Sequence, residues 1–376
     1  MLMKKKYILY AFFIFAMPLV GNAQIKIGNY TFKDGGEYTG ELKSRRPNGK
    51  GKTVFKNGDT YEGEYVKGLR EGYGIYVKKD GERYEGNWYQ NVRHGKGIKY
   101  FNNNNRYEGM WYADHQHGQG TMYYYNGDVY EGNWANDKRN GKGKYTWSNG
   151  AFYTGEWKND KKSGNGTLDW NDGSRYVGEW KSDMRDGQGK YYYSNGDEYI
   201  GEWHNNEQHG KGTYIYNNKD KYEGDYFHGK RTGKGIYTHA NGDMYIGEFL
   251  DGDQNGHGKF TWVNGSVYDG QWKNNKREGR GIYTWINGDV YNGEWKDNLA
   301  DGFGELVNAD GSMYKGHFAK GKKDGQGTLI DKDGNRYEGF FKQDVKDGPF
   351  IEKDSNGNVI RRGTYKLGRL DTVAKN

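Results

Sequence analysis

The chain has 376 residues, no cysteine, 33% hydrophobic residues and 17% aromatic residues. Lack of cysteine excludes disulfides, thiolate metal sites, thiol nucleophiles and an acylated lipoprotein cysteine, and so small an apolar share argues against a thick aliphatic core. The net charge of +7 falls to +4 without Lys4, Lys5 and Lys6, a surplus too small to indicate a nucleic-acid partner.

The first predicted element is a leader. Lys4 to Lys6 form a basic patch, Tyr7 to Val20 an apolar run broken by Pro18, and Gly21-Asn22-Ala23 a small-residue cleavage site. The run falls short of the roughly 20 apolar residues of a membrane span. Residues 1–23 therefore read as a signal peptide and Gln24 as the mature start, and the expected destination is the periplasm, the outer envelope or the exterior. Residues 24–37 read as a half repeat and cap, because Gly28 and Gly35 keep the register of the later repeats.

From Tyr38 to Tyr337 a tyrosine recurs every 23 residues without interruption. With that tyrosine as position zero, glycine recurs at position two and an aromatic at position four, as in Tyr130-Glu131-Gly132-Asn133-Trp134. Alternation of this kind puts the rings on one face of a strand and the polar residues on the other. A polar stretch such as Lys158-Asn159-Asp160-Lys161-Lys162 reads as a loop, and glycines at positions eleven and thirteen read as the start of a second strand, such as Gly143-Lys144-Tyr145-Thr146-Trp147. Each repeat closes on a turn dipeptide such as Asn149-Gly150. Parity selects a three-residue loop, Ser148-Asn149-Gly150, because a two-residue loop would put Trp147 and Tyr153 on opposite faces. Where the glycine is missing, in Asn102-Asn103-Asn104-Asn105 and Asn217-Asn218-Lys219, asparagine is expected to take the left-handed conformation.

The expected fold is all-β: an elongated, single-layer antiparallel meander of about fourteen hairpins over residues 38–360. Residues 361–376 read as a partial repeat and tail. Phe350 replaces a glycine, one residue is inserted, Arg361-Arg362-Gly363-Thr364-Tyr365 echoes the opening strand, and Leu370 to Asn376 is expected to fray.

The string Tyr-x-Gly-x-Trp, six residues, Gly-x-Gly, six residues, Gly resembles the MORN (membrane occupation and recognition nexus) repeat over about Tyr30 to Gly368. The resemblance implies a rod-like or gutter-shaped array of hairpins used as a scaffold, with protein docking, self-association and anionic phospholipids as the associated roles. MORN repeats also accompany some phosphatidylinositol-phosphate kinases, but no stretch here matches a kinase lysine, HRD-type or DFG-type set.

No enzyme, cofactor or metal is expected. The Gly-x-Gly strings, such as Gly118-Gln119-Gly120, recur in phase and precede strands rather than helices, unlike phosphate loops. Asp331-Lys332-Asp333-Gly334-Asn335 opens like a calcium loop, yet Lys342 stands where the closing glutamate belongs. His94 and His117 lie one repeat apart, too far to share a metal ion. Two surfaces remain. Loops at one rim are basic, with Arg45, Arg46, Lys138, Arg139, Lys161, Lys162, Lys230, Arg231, Lys276 and Arg277 as candidates for an anionic ligand, whereas the opposite rim carries Asp59, Asp128, Asp197, Asp243 and Asp289. The aromatic face offers Trp134, Trp147, Trp157, Trp170 and Trp180 to sugars or apolar peptide segments. The functional expectation is an exported scaffold for a protein partner or an envelope surface, with self-association open. The alternative is a module for anionic phospholipid or polysaccharide.

Overall fold

The computed structural model describes residues 24–374, so the leader assigned to residues 1–23 lies outside the described residues. It contains two compact units, one up to Lys138 and one from Arg139. Every regular element among the described residues is a β-strand.

The unit up to Lys138 opens with Lys26–Thr31, which pairs antiparallel with Glu37–Lys43 through Gly28 opposite Gly40 and Tyr30 opposite Tyr38. From there each strand pairs with the next, down to Val129–Ala135. Within a repeat the opening strand and the return strand pair in register from Thr60 opposite Val77, through Tyr61 opposite Tyr76, to Gly63 opposite Gly74. The pairing then slips before Tyr65 meets Arg70.

Return strands start three residues earlier than expected, at Arg46 rather than Gly49 and at Lys161 rather than Gly164. The polar stretch is a two-residue turn followed by strand. In Ser44-Arg45 both residues have positive φ, 52° and 60°, and Gln90-Asn91 repeats this at 48° and 71°. Left-handed pairs match the twist of a tight hairpin, which is why Asn and Asp crowd these positions.

The two glycines of the Gly-x-Gly string serve different ends. That at position eleven sits in the slip of register with positive φ, as at Gly72 (66°) and Gly164 (56°), where the bulge forces a left-handed residue. The one at position thirteen faces its partner glycine beneath a tyrosine ring. A methyl group on Gly235 would lie 2.6 Å from Tyr222 Cε2.

The unit from Arg139 repeats the plan through Lys161–Asp169, Arg175–Lys181 and onward, each strand antiparallel to its neighbour. Its closing turns have the expected three-residue form. Trp147 N–H bonds Ala151 O at 2.9 Å, Gly150 N–H bonds Trp147 O at 2.9 Å, and Gly150 has φ 89°. Asn104 takes the left-handed position in one glycine-free turn (φ 64°), but in Asn217-Asn218-Lys219 the residue at φ 76° is Lys219 itself. Position in the turn, rather than residue type, decides which residue bears the positive φ.

At the carboxyl end Phe350 faces Gly339 and stacks on Tyr337 at 5.5 Å. Leu370 to Ala374, expected to fray, form part of a strand, Arg369–Ala374, paired with Val359–Lys366. A tight turn at Leu367-Gly368 (φ 50° and 81°), tied by Gly368 N–H to Lys346 O, carries the chain back for one more pairing.

Candidate functional site

In each unit the rings share one face but divide into two rows. The inner row is the core. Its tyrosines at position zero are almost fully buried, and their hydroxyls donate to the carbonyl three residues on, as from Tyr199 to Glu202 at 3.0 Å. Each ring therefore crosses the glycine at position two and ends on its own strand. Between consecutive tyrosines stands the position-four aromatic, edge-on to both: Trp272 meets Tyr245 at 5.3 Å and Tyr268 at 5.2 Å. Its indole N–H bonds the Gly258 carbonyl of the preceding repeat at 2.9 Å, joining neighbouring hairpins. T-shaped pairs of this sort add about 0.5–1.5 kcal/mol each beyond burial. Burial pushes the phenols up, to about 12 at Tyr38 and Tyr314.

The outer row, at positions fifteen and seventeen, is mostly half-buried, with Trp285 exposed and Thr53, Met122 and Leu168 buried. In the unit from Arg139 it forms a continuous ladder: Trp170, Tyr191, Tyr193, Tyr214, Tyr216, Tyr237, His239, Phe260, Trp262, Tyr283 and Trp285, with neighbouring centroids 4.4 to 6.0 Å apart. In the unit up to Lys138 the same positions hold Thr53 and Phe55, Tyr76 and Lys78, Lys99 and Phe101, Met122 and Tyr124. Lys78 and Lys99 there reach Glu82 at 2.6 and 3.5 Å, so charge interrupts the rings.

The five tryptophans singled out from sequence therefore separate. Trp134, Trp157 and Trp180 are 4–5% exposed and belong to the inner row. Trp147 and Trp170 are half-buried and belong to the outer one. The tryptophan candidates leave out Tyr193, Tyr214, Tyr216, Tyr237 and Phe260, though their recurrence at positions fifteen and seventeen marks them.

The ten basic residues separate as well. Arg45 lies in its turn, and Arg46, Lys138, Lys161, Lys230 and Lys276 are exposed at position eight, with Lys230 near Asp251 (3.3 Å) and Lys276 on Asp297 (2.7 Å). Arg139, Lys162, Arg231 and Arg277, at position nine, are not loop residues. They lie across the ring face, with Arg139 4.3 Å from the Trp157 ring, Lys162 4.2 Å from Trp180, Arg277 4.4 Å from Trp295 and Arg231 5.5 Å from Phe249. Parity explains it: starting the strand three residues early turns position nine onto the aromatic face.

These cations differ in compensation. Arg93 pairs with Asp114 at 2.9 Å and Arg139 with Asp160 at 3.1 Å. Arg185, Arg231 and Arg277 instead donate to the backbone carbonyls of Asn206, Gly252 and Asn298, and no carboxylate pairs with them among the described residues. Burial lowers the pKa of Arg185 and Arg277, against the opposing influence of nearby tyrosines.

The aspartates of the other rim are fasteners. Asp197 accepts from Tyr214 Oη at 2.8 Å and from Asn217 N–H at 2.8 Å, and Asp220 holds Tyr237 and Ala240 in the same way. Burial opposes their charge, but these hydrogen bonds outweigh it and leave both carboxyls below the ordinary range. His94 and His117 flank the Tyr112 ring at 5.2 and 5.7 Å, while His115 pairs with Asp137. Asp331 accepts the Asn335 and Asp333 amides and so closes its own turn.

Between the rows, in the unit from Arg139, runs an open groove of about 420 Å³. Phe249 and Trp272 floor it, Tyr237, His239, Phe260 and Trp262 form one wall, and Arg231, Gln254, Asn275, Arg277 and Asn298 form the other. No carboxylate lines it.

A single-faced row of rings, a glycine pair beneath each tyrosine and paired hairpins define the class: an all-β hairpin-repeat protein. The MORN repeat model matches thirteen consecutive segments from 38–60 to 314–336, and the chain belongs to the MORN repeat family. No curated protein matches the sequence. Among solved structures, the chain is similar to the TCP domain of SAS-4 (dCPAP) from Drosophila melanogaster, in complex with a proline-rich motif of Ana2 (dSTIL), at 20% identity, TM-score 0.27, covering 42% of this chain and 85% of that one. It is also similar to the TCP10 domain of Danio rerio CPAP at 13% identity, TM-score 0.21, covering 60% and 94%. A streptogramin B lyase matches at 11% identity and TM-score 0.13, covering 77% and 90%. Scores this low carry no argument about function.

Proposed function

We propose that the chain is an exported, non-enzymatic scaffold whose outer aromatic row is a docking face for an extended partner, a protein or a component of the envelope surface. The carrying observation is the mostly half-buried ladder from Trp170 to Trp285 beside a groove lined by cations without carboxylates. Rows of similar subsites suit many weak contacts summed along one ligand. Export is inferred from the basic and apolar leader at residues 1–23. The absence of an enzyme is inferred from repetition, because polar groups that recur in every hairpin do not form one tuned site.

An anionic membrane surface is the weaker reading. Of the exposed lysines at position eight, Lys230 stands beside Asp251 and Lys276 beside Asp297, which cancels much of the attraction of these two. The test is capture from envelope extracts by the purified protein and by the double variant Trp262→Ala/Trp285→Ala. The proposal expects a saturable partner retained by the first and lost by the second. Equal retention by both would refute it, and so would sedimentation with anionic vesicles that the double variant keeps in full.

A further inference from the structure

At position nine of five consecutive repeats in the unit from Arg139 the residues are Arg185, Gln208, Arg231, Gln254 and Arg277. The charge thus returns at every second repeat. The two positions do comparable structural work: Arg277 N–H bonds the Asn298 side chain at 2.8 Å and Gln254 N–H bonds Asn275 at 2.8 Å, so the hairpin accepts either residue. The residue in the next turn alters with the same stretch. It is Asp beside Arg93, Arg139 and Lys162, but Asn91 beside Arg70, and Asn206, Gly252 and Asn298 beside the three alternating arginines. The carboxylate that would neutralise each of the three is missing on the side of the groove.

Resting on the docking-face reading, we propose that this groove binds a linear acidic polysaccharide, a chain of six-membered sugar rings bearing carboxylates. Four observations carry it. First, the strand backbones under the groove are paired within the sheet, so an incoming peptide finds no free edge to extend. The groove's donors are instead planar side-chain amides and guanidiniums, Gln254, Asn298, Arg231 and Arg277, while the Asn275 amide donates to Asp253 at 2.5 Å. Such groups bond hydroxyl pairs, and arginine takes a carboxylate with two parallel bonds.

Second, the walls are unlike: Tyr237, Phe260 and Trp262 are rings, and the facing wall is polar. A pyranose has the same division, with C–H groups on its faces and oxygens at its edge. Third, charge complementarity holds along the groove. The titratable groups lining it are Arg231, Arg277, His239 and Tyr237; Asp220 accepts from the Tyr237 hydroxyl at 2.8 Å and lies 3.6 Å from His239, and Asp253 accepts from Asn275. Asp220 and Asp243 are engaged by the Ala240 and Val263 amides at the turns. Fourth, the subsites recur. At about 4.8 Å per strand, ring pairs come every ~10 Å and uncompensated arginines every ~19 Å. A polymer of identical units meets identical contacts along such a row, whereas a protein segment would need a sequence repeat to do the same.

Isothermal titration of the purified chain tests this with polygalacturonate oligomers, a neutral linear glucan of equal length, polyglutamate, and an acidic proline-rich peptide. The expected result is saturable binding of polygalacturonate, at least about tenfold weaker binding of the other three, and a loss of about tenfold in Arg231→Gln and again in Arg277→Gln. Glutamine stands at this position in Gln208 and Gln254, so these variants should melt with the parent chain. Gln254→Arg should tighten binding. Polyglutamate or the neutral glucan bound as tightly as polygalacturonate would overturn the proposal, as would indifference to both arginine variants or preference for the peptide. If polygalacturonate fails while Trp262→Ala/Trp285→Ala still loses a captured envelope partner, the inference falls and the docking face stands. If both fail, both fall.

Discussion

The inner and outer rows occupy the same face of the same strands, yet they obey different rules. At the inner row every repeat from Tyr61 to Tyr314 sets tyrosine at position zero and an aromatic at position four, and the rings are buried edge to face. At the outer row the residue changes with place: Lys78 and Lys99 in one unit, eleven unbroken rings in the other, and Leu306 and Asn308 further on. A core that each hairpin must share with its neighbour cannot vary without opening two interfaces. A solvent-facing row can vary, so its variation reports on what it meets.

Breaking the inner row should be costly. In Gly235→Ala the new methyl meets the Tyr222 ring at 2.6 Å, and both ring and backbone are held, so a loss of about 3 kcal/mol is expected in urea unfolding. Tyr222→Phe removes only the hydrogen bond to Asp225 O, at 3.1 Å, and should cost about 1 kcal/mol. The inner phenols also make the fold alkali-sensitive. Their folded pKa lies above the unfolded value of about 10, reaching about 12 at Tyr38 and Tyr314, so their contribution is complete below pH ~10 and fades as pH rises towards 12. Unfolding that tracks tyrosinate absorbance across that window is the expected observation.

Asp197 and Asp220 act in the opposite direction and more weakly. Their folded pKa is depressed, so their contribution is present above the unfolded value near 3.9 and is lost as pH falls below it. Asp197→Asn should lower the neutral-pH midpoint slightly and leave the acid end nearly unchanged, which flattens the acid limb of the melting profile.

The period, the single ring face and the three-residue turns were legible in the sequence because each follows from parity: Trp147 and Tyr153 can share a face only through an odd loop. The division of that face was not. Alternation alone does not separate Trp180, closed between Tyr153 and Tyr176, from Trp170, since both alternate correctly. Their difference comes from the neighbours around them: two edge-on tyrosines at Trp180, and the tilted Tyr191 ring of the next repeat at Trp170. Arg139 and Arg277 were read as loop charges because a two-residue turn with both φ positive leaves little trace beyond Asn and Asp, and a strand begun three residues late assigns them to the wrong surface. Depression of the turn aspartates is likewise invisible without the partner tyrosine seventeen residues on.

Trp272 and Trp262 face one groove from the two rows, and unfolding of Trp272→Ala beside Trp262→Ala tests the division most directly. The two-row account predicts a loss of about 3–5 kcal/mol for Trp272→Ala, and about 1 kcal/mol or less for Trp262→Ala, whose ring is already partly in water. Equal losses, or the larger loss at Trp262, would contradict it.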